Sequence, residues 1–293
     1  MSRSVQVLAH AKVNLTLEVL GRRADGFHEL RSVFATVEPA DTIRVATSSR
    51  LDVRLTPDVG AAAGDDLASR AVRAFAMASS REPRALVRVR KRIPVAAGLG
   101  GGSSDAGAVM RALAVLWRVP RPTAEVAAGV GSDVPFFASG AAVALVGGRG
   151  EAVEPLPAPP GELWVVLVRP GAALRTAEVF AAHAAALASA DRSGGGAASE
   201  QLAAAFRDGI VTPSLLRDCA RNELLDAAER ACGWIADARA AARARGIELH
   251  LSGSGPSLFA IADDRAHALR IARALHRSGL RPHATRLGLA AQR

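Results

Sequence analysis

The chain contains 293 residues, of which 49% are hydrophobic and 22% are charged, and this composition excludes a largely disordered or fibrous chain. Its length fits one large domain or two medium ones. The net charge of +9 would suit a nucleic-acid partner, but an aromatic content of 4% without any Tyr leaves few rings to stack on bases, so we expect no nucleic acid and favour a polyanionic small molecule.

The first thirty residues carry charged side chains, among them Arg3, Lys12 and Arg22, and contain no continuous apolar stretch. Such a segment is not typical of a signal peptide or of a transmembrane span. We therefore expect a cytoplasmic protein without a membrane partner.

Polar and apolar residues alternate over residues 12–19, which is the pattern of a β-strand. Lys12 and Asn14 then share one face of that strand, while Val13 and Leu15 share the other. Similar alternation predicts the further strands of an antiparallel-rich sheet, over residues 32–38, 42–47, 51–55 and 86–90. A helix is predicted over residues 66–79.

A long apolar run follows the glycine-rich stretch that begins after Pro94. This run, residues 106–117, predicts a buried helix. Ser103 or Ser104 is expected to cap it, because a serine just before a helix can accept a hydrogen bond from a free amide of the first turn.

Thr123 is expected to cap a short helix, after which a strand is predicted over residues 141–146. Residues 155–161 contain four prolines, which is typical of a connector. We therefore place a domain boundary here, dividing the chain into residues 1–157 and 158–293.

The second half mixes strand and helix patterns, with a soft Ala, Ser and Gly stretch over residues 187–199 that predicts a mobile loop. Strands are predicted over residues 163–168, 247–252, 257–262 and 283–289, and helices from residue 176, twice within 221–245 and over 264–277. This order predicts an α+β domain with a ferredoxin-like sheet.

The strongest chemical signal lies in residues 94–105, which run from the end of a strand into a helix. Four glycines within residues 98–102 allow the backbone to approach a phosphate closely, and the helix N-terminus favours negative charge. A plain strand-to-helix turn needs only one or two glycines. The segment lacks the Gly-Lys-Ser/Thr of a Walker loop, so it predicts a different phosphate-binding loop.

Three segments together resemble the motifs of the GHMP kinase superfamily: residues 12–16, 98–104 and 252–256. The resemblance implies ATP and Mg2+ as cofactors. It also implies a two-domain α+β fold, with a mixed amino-terminal sheet and helices like ribosomal protein S5 domain 2, and a carboxyl-terminal ferredoxin-like α/β sandwich. The residues that it assigns to the nucleotide are Pro94, Ala97, Gly98, Leu99, Gly100, Gly101, Gly102, Ser103 and Ser104.

Within the superfamily, residues 11–15, 21–30 and 131–136 resemble the kinases that phosphorylate the 2-hydroxyl of 4-diphosphocytidyl-2-C-methyl-D-erythritol in the non-mevalonate isoprenoid pathway. This resemblance implies a small substrate with a cytidyl diphosphate. We expect the protein to be a monomer or weak homodimer. Two alternatives stay open: another GHMP kinase, of the homoserine or mevalonate type, and a catalytically silent relative that senses a nucleotide or sugar.

Lys12 and Asp133 match the catalytic pair of the family. Phosphoryl transfer depends mostly on positioning and electrostatic stabilisation, and a carboxylate can accept the proton of the attacking hydroxyl. Lys12 would orient that carboxylate and neutralise developing charge. Taken without the family, Asp133 is equally typical of a helix cap and Lys12 of a solvated strand residue.

The resemblance also implies a substrate reader. Phe27 stands where the family usually has Tyr and would stack on cytosine, while His28 would hydrogen-bond the edge of the base. Phe180 would close the stack from the second domain. Without the family, Phe27 is equally typical of a core aromatic and His28 of a solvent-facing residue. Three further residues are assigned to the substrate, namely Asn14, Gly253 and Ser254. Asp105 stands where the family more often has Asn, and two roles stay open for it, contact with the nucleotide and a helix cap.

Overall fold

The computed structural model describes residues 3–58, 60, 64–187 and 195–290. The strands are β1 Ser4–Asn14, β2 Thr16–Arg22, β3 His28–Thr47, β4 Asp52–Thr56, β5 Ala85–Arg90, β6 Val143–Gly148, β7 Ala152–Leu156, β8 Trp164–Arg169, β9 Arg221–Asn222, β10 His250–Leu251, β11 Leu258–Ala262 and β12 Arg281–Arg286. The helices are α1 Leu67–Ala78, α2 Gly101–Trp117, α3 Ala124–Ala128, α4 Val134–Ser139, α5 Thr176–Leu187, α6 Ala197–Arg207, α7 Pro213–Cys219, α8 Leu225–Ala231, α9 Gly233–Arg243 and α10 Arg265–Arg277.

The first sheet is built around the 20-residue strand β3, which pairs antiparallel with β1, β2, β5 and β6. The sheet also contains two parallel pairs, β4 with β5 and β2 with β9. The prediction of an antiparallel-rich sheet is therefore confirmed, within a mixed sheet. The runs 32–38 and 42–47, predicted as two strands, are parts of the single strand β3, while the strand predicted over 12–19 is interrupted at Leu15 between β1 and β2.

Helix α2 packs against this sheet, and helix α1 packs against α2. Their apolar faces meet the strands in one buried cluster that includes Phe75, Met110, Leu113, Ile43 and Val87. The run that predicted α2 is buried almost all round, because the helix lies between the sheet and α1. Burial on this scale is the main source of the free energy that holds the helix in place.

The predicted serine cap of α2 is wrong. The helix begins at Gly101, and its N-cap is Gly100, which adopts a left-handed conformation with φ of +68°. Ser103 and Ser104 therefore lie inside the first turn. The hydroxyl of Ser104 donates instead to the carbonyl oxygen of His10 at 2.6 Å, so it ties the helix to β1.

The second sheet has the order β10, β11, β8, β12, and its adjacent strands are antiparallel. With the helices that separate β8 from β10 and β11 from β12, this is the predicted ferredoxin-like arrangement. Strand β10 is shorter than predicted, because residues 247–249 do not pair with β11 and the chain turns from Gly253.

Two helices of the second half, α6 and α7, are absent from the sequence-based prediction. The mobile loop predicted over 187–199 lies partly outside the described residues, at 188–194, and its end was placed wrongly because α6 begins at Ala197. Among the described helices, none is long and apolar enough to cross a membrane.

One apolar cluster joins the two sheets. It contains Val13 and Leu145 from the first sheet, Leu167 and Phe259 from the second, and Phe206 from α6. The short strand β9 also pairs with β2 of the first sheet, although it follows residue 157. The boundary at 157 stays a prediction, and the two halves share a continuous buried core across it.

Gly107 marks the closest approach of α2 to the chain around α4. A Cβ atom at this position would lie 2.6 Å from the Cβ of Phe137 and 2.7 Å from the backbone nitrogen of Ala138. Alanine has the better helix propensity, by about 1 kcal/mol, but overpacking a rigid contact costs about 1 to 3 kcal/mol. We therefore expect Gly107→Ala to lower the melting temperature by a few degrees in a thermal denaturation experiment.

A matched control is Gly129→Ala. Gly129 has φ of −63°, and a Cβ atom there would meet its nearest neighbour at an ordinary 3.5 Å. The melting temperature of this variant should therefore equal or slightly exceed that of the wild type, because alanine fits without strain and reduces the freedom of the unfolded chain. A Gly107→Ala variant as stable as this control would mean that α4 shifts freely away from α2.

Candidate active site

A cavity of about 1330 Å³ lies between the two halves of the chain, bordered by the glycine-rich loop, the segment before α4 and helix α5. Almost every site residue predicted from the sequence lines it. These residues are Lys12, Asn14, Phe27, His28, Pro94, Ala97, Gly98, Leu99, Gly100, Gly101, Gly102, Ser103, Asp133, Phe180, Gly253 and Ser254. Ser104 is the exception, because its buried hydroxyl points to β1 and not to the cavity.

The two predicted catalytic side chains meet in this cavity. The Nζ atom of Lys12 lies 3.5 Å from Oδ2 of Asp133, with the side chain of Lys12 buried and that of Asp133 30% exposed. Asp133 occupies the N-cap position of α4, yet its side chain makes no capping hydrogen bond. The helix-cap alternative therefore does not account for the carboxylate, which faces the cavity.

Lys12 is held by polar and aromatic contacts, contrary to the alternative of a solvated strand residue. Its ammonium donates to Oδ1 of Asn14 at 2.7 Å, and Asn14 in turn donates to the hydroxyl of Ser32 at 3.0 Å. The same ammonium lies 4.6 Å from the centre of the Phe34 ring. A buried cation needs such partners, because an unpaired charge inside the sheet would be strongly destabilising.

The glycine-rich loop packs directly on the third motif. A Cβ atom at Gly98 would lie 2.6 Å from the carbonyl oxygens of both Ser252 and Gly255, so only glycine fits there. The backbone amide of Ser257 donates to the carbonyl of Ala97, and that of Lys12 donates to the carbonyl of Leu99. These contacts fix the loop between β1 and the second half of the chain.

The start of α2 presents the chemistry of a phosphate-binding site. Gly100 turns the chain in the left-handed region, so that Gly101, Gly102 and Ser103 form the first turn and line the cavity. Amides in a first helical turn have no acceptor within the helix, and the helix dipole favours an anion in front of them.

The third motif borders the catalytic lysine. A Cβ atom at Gly253 would lie 3.3 Å from the Nζ atom of Lys12, and the hydroxyl of Ser254 makes a 2.9 Å hydrogen bond with the hydroxyl of Thr176 at the start of α5. Gly253 and Ser254 thus connect the Lys12 end of the cavity to the helix that carries Phe180.

The predicted aromatic reader lies at the other end of the cavity. The rings of His28 and Phe180 are stacked with centres 5.2 Å apart, while Phe27 is 47% exposed and so is not a core aromatic. Burial, with a smaller contribution from Arg22, lowers the pKa of His28 below its usual value. His28 is therefore neutral at pH 7, with one ring nitrogen as donor and the other as acceptor.

A buried charged cluster beside the glycine-rich loop was missed by the sequence reasoning. Nζ of Lys91 lies 2.5 Å from Oδ2 of Asp41 and 2.6 Å from Oδ2 of Asp105. The only sequence signal was the basic run at 88–92, because Asp41 lies fifty residues away in the chain.

The two carboxylates of this cluster are held unequally. Asp41 also accepts hydrogen bonds from the backbone amides of Arg92 and Ile93, whereas Oδ1 of Asp105 is buried without a hydrogen-bond partner in the described structure. Burial raises the pKa of Asp105 well above its usual value, and the ammonium of Lys91 only partly offsets this. Asp105 therefore keeps its proton to a higher pH than an ordinary aspartate.

Comparison with known proteins gives consistent results along the chain. A family described as "GHMP kinases N terminal domain" matches residues 66–147, and one described as "GHMP kinases C terminal" matches residues 203–280. The 4-diphosphocytidyl-2-C-methyl-D-erythritol kinase of Rhodospirillum rubrum is 37% identical over 273 residues, which cover 90% of this chain and 86% of that protein.

Two further relatives agree. The kinase of the same name from Paramagnetospirillum magneticum is 35% identical over 275 residues, covering 90% of this chain and 91% of that one. A crystal structure of a 4-(cytidine 5'-diphospho)-2C-methyl-D-erythritol kinase superposes with a TM-score of 0.75 at 34% identity, covering 99% of this chain and all of that chain. The likeness therefore extends over both halves of the fold.

The unequal carboxylates predict a pH effect on stability. The pKa of Asp105 is higher in the folded chain than the ordinary 3.8, so its contribution to stability is present at low pH and is lost as the pH rises from about 4 towards the raised value. Asparagine does not ionise, so Asp105→Asn removes this pH-dependent loss of stability. We expect the melting temperature of the variant, relative to the wild type, to increase as the pH is raised from about 4 to about 8.

Asp52→Asn serves as a control of opposite sign. The hydrogen bond from Arg88 lowers the pKa of Asp52, so its contribution is present above the ordinary value and is lost as the pH falls. The deficit of this variant should be present at pH 8 and shrink towards pH 3. Parallel curves for Asp105→Asn and the wild type would mean that Lys91 keeps Asp105 ionised throughout.

Proposed function

Because this chain belongs to the GHMP kinases, and within them to the 4-diphosphocytidyl-2-C-methyl-D-erythritol kinase family, we propose that its reaction takes place where Lys12 and Asp133 meet. The protein is an ATP-dependent small-molecule kinase, which phosphorylates the 2-hydroxyl of 4-diphosphocytidyl-2-C-methyl-D-erythritol in isoprenoid precursor biosynthesis. The observation that supports this location is the 3.5 Å approach of Nζ of Lys12 to Oδ2 of Asp133, inside a cavity bordered by the glycine-rich loop.

ATP is assigned to the half of the cavity formed by the glycine-rich loop and the start of α2. The free amides of the first turn, Gly101 to Ser103, would hold the phosphate oxygens, with the loop backbone from Gly98 to Gly100 close beside them. Ser104 would act indirectly, since its hydroxyl fixes α2 to β1 and so sets the position of those amides.

Asp133 is proposed to act as the general base. As the acceptor oxygen forms its bond to the γ-phosphorus and the bond to the β-phosphate oxygen breaks, the hydroxyl proton passes to the carboxylate of Asp133. Lys12 holds that carboxylate in place and stabilises negative charge on the transferring group. Asn14 keeps the ammonium of Lys12 aimed at the cavity through its 2.7 Å hydrogen bond.

Mg2+ is proposed as the accompanying metal. The protein atoms nearest to the expected phosphates suit it, because the hydroxyl of Ser103 offers an oxygen ligand and Mg2+ takes few protein ligands besides phosphates and waters. Oγ of Ser103 lies 3.8 Å from the position of a Cβ atom at Gly131, so its hydroxyl faces the segment that carries Asp133. When bound there, Mg2+ would neutralise charge on the phosphate oxygens.

The cytidyl end of the substrate is assigned to Phe27, His28 and Phe180. Phe27 is exposed towards the cavity, and the neutral ring of His28 can both donate to and accept from the base edge. In the structure the ring of His28 stacks on the ring of Phe180. For cytosine to stack between Phe27 and Phe180, the base must therefore insert next to the His28–Phe180 pair. Gly253 and Ser254 would contact the substrate near Lys12.

The other functions considered from the sequence have less support. A silent relative would not need Lys12 and Asp133 paired beside a phosphate-binding loop. Homoserine and mevalonate carry no base, so they would leave Phe27, His28 and Phe180 without a role. The cytoplasmic location, the monomer or weak homodimer, and the lack of nucleic-acid or membrane partners stay predictions, and size-exclusion chromatography would check the assembly.

A substrate panel tests the assignment directly. Purified protein with MgATP should transfer phosphate to 4-diphosphocytidyl-2-C-methyl-D-erythritol, giving ADP and the 2-phosphate, while homoserine and mevalonate stay unchanged. The products are identified by phosphorus NMR and mass spectrometry. Transfer to homoserine or mevalonate, without transfer to the cytidyl compound, would reverse the assignment.

Asp133→Asn tests the proposed base. A general base contributes about 10²- to 10⁴-fold to the rate, so the variant should lose kcat by this factor with little change in KM, since the lost interaction belongs to the transition state. Asp237→Asn is the control, because Asp237 is exposed on α9 and does not line the cavity. A variant with nearly normal kcat would remove Asp133 from the proton transfer.

A further inference from the structure

We propose that Arg149, assisted by Arg22, binds the diphosphate of the substrate and so determines specificity for a cytidine diphosphate ester. This inference rests on the proposed function, because it assigns further residues to the same site. Arg22 lies in the segment 21–30 but was given no role there, and Arg149 lies outside every segment of the resemblance, in the turn between β6 and β7.

The charges of the cavity single out these two arginines. The Lys and Arg side chains that line it are Lys12, Arg22, Lys91 and Arg149. Lys12 is committed to Asn14 and Asp133, and Lys91 to its two aspartates. By contrast, the guanidinium groups of Arg22 and Arg149 make no hydrogen bond or ion pair within the described residues, so their donors are available to a ligand.

The carboxylates near Arg149 are already occupied. Glu29 accepts hydrogen bonds from Nη1 of Arg23 at 2.5 Å and from the backbone amide of Gly148 at 3.0 Å. Glu151 accepts from the backbone amide of Arg149 at 2.7 Å and lies 3.7 Å from Nη2 of Arg23. Asp25 also attracts Arg149 electrostatically, but beyond ion-pair distance, and its carboxylate accepts hydrogen bonds from the backbone amide of Phe27 and from Nε of Arg23. These contacts fix the turn and leave the guanidinium donors of Arg149 unpaired.

The position of Arg149 matches the order of groups along the substrate. On one side, the backbone of the adjacent Gly150 packs against Ser132, because a Cβ atom at Gly150 would lie 2.3 Å from the carbonyl oxygen of Ser132. On the other side, Cζ of Arg149 lies 4.9 Å from the centre of the Phe27 ring. Arg149 thus lies between the segment of the proposed base and the base-stacking ring, as the diphosphate lies between the erythritol and the cytidine.

The chemistry of the side chain suits this role. A guanidinium presents its donors in a planar fork that matches two phosphate oxygens, and such a charge-assisted pair is stronger than a neutral hydrogen bond. Arg149 is also half-buried, with its stem beside the Phe27 ring, so less side-chain freedom is lost on binding than for a fully solvated arginine. Arg22 is more exposed and is expected to contribute less.

The test compares the binding of CDP and of cytidine by isothermal titration calorimetry, on protein saturated with Mg2+ and a non-hydrolysable ATP analogue. Cytidine reports the base contacts, and the ratio of the two affinities reports the diphosphate contacts. Arg149→Met keeps an unbranched stem beside Phe27 but removes the charge. We expect it to weaken CDP binding by about 10- to 100-fold and cytidine binding by less than about 3-fold.

Two further variants define the effect. Arg149→Lys keeps the charge without the planar fork, so its loss of CDP affinity should be intermediate. Arg277→Met removes an exposed arginine of α10 that does not line the cavity, and it should leave both affinities unchanged. With the full substrate, Arg149→Met should raise KM for the cytidyl compound and leave KM for ATP unaltered.

Two results would overturn the inference. Equal losses for CDP and cytidine would make Arg149 part of the base platform, and an unchanged CDP affinity would make it a solvated side chain. Turnover by the wild type separates the failure of this inference from the failure of the proposed function. If the wild type is active and Arg149→Met has the same ratio of CDP to cytidine affinity as the wild type, only the inference is rejected. A wild type that neither turns over the substrate nor binds CDP rejects both.

Discussion

The close backbone approach at Gly98 is the constraint on which the site depends. The carbonyls of Ser252 and Gly255 occupy the space where any other side chain would begin, and the next residue, Leu99, accepts the backbone amide of Lys12. The glycine-rich loop, strand β1 and the third motif are far apart in the sequence, and their backbones are therefore in direct contact here. A phosphate-binding loop held this way is pre-organised, so ATP does not have to order it on binding.

A second constraint keeps a cation inside the sheet. Lys12 donates to Asn14, Asn14 donates to Ser32, and the hydroxyl of Ser32 donates to the backbone carbonyl of Thr16. The hydroxyl of Thr16 bonds to that of Ser199, which with its own amide donates to the buried Glu18. This chain of polar groups connects the catalytic lysine to the N-terminus of α6, so the second half of the protein helps to position the reacting groups.

The sequence predicted well those helices and strands whose apolar residues recur with a clear period. Helix α1, strand β5 and helix α10 follow their periodicity, because each buries one apolar face in the core. Helix α6 escaped prediction, since its sequence is rich in alanine and lies beside a low-complexity stretch. Helix α7 spans only seven residues, too few to show a clear helical periodicity. The motifs predicted most of the cavity lining, but they could not reveal the pairing of Lys91 with Asp41, which only the fold brings together.

The charged cluster of Lys91, Asp41 and Asp105 lies beside the loop that is proposed to bind the ATP phosphates, and its net charge therefore matters for ATP binding. Lys91 and Asp41 balance each other, so an ionised Asp105 would leave one negative charge buried next to the loop that receives ATP. That charge would compete with the phosphates for the positive end of α2. The unpartnered Oδ1 of Asp105 and the burial that raises its pKa favour the protonated form. A neutral Asp105 adds no negative charge beside the first turn of α2, so the positive end of the helix dipole stays available to the nucleotide.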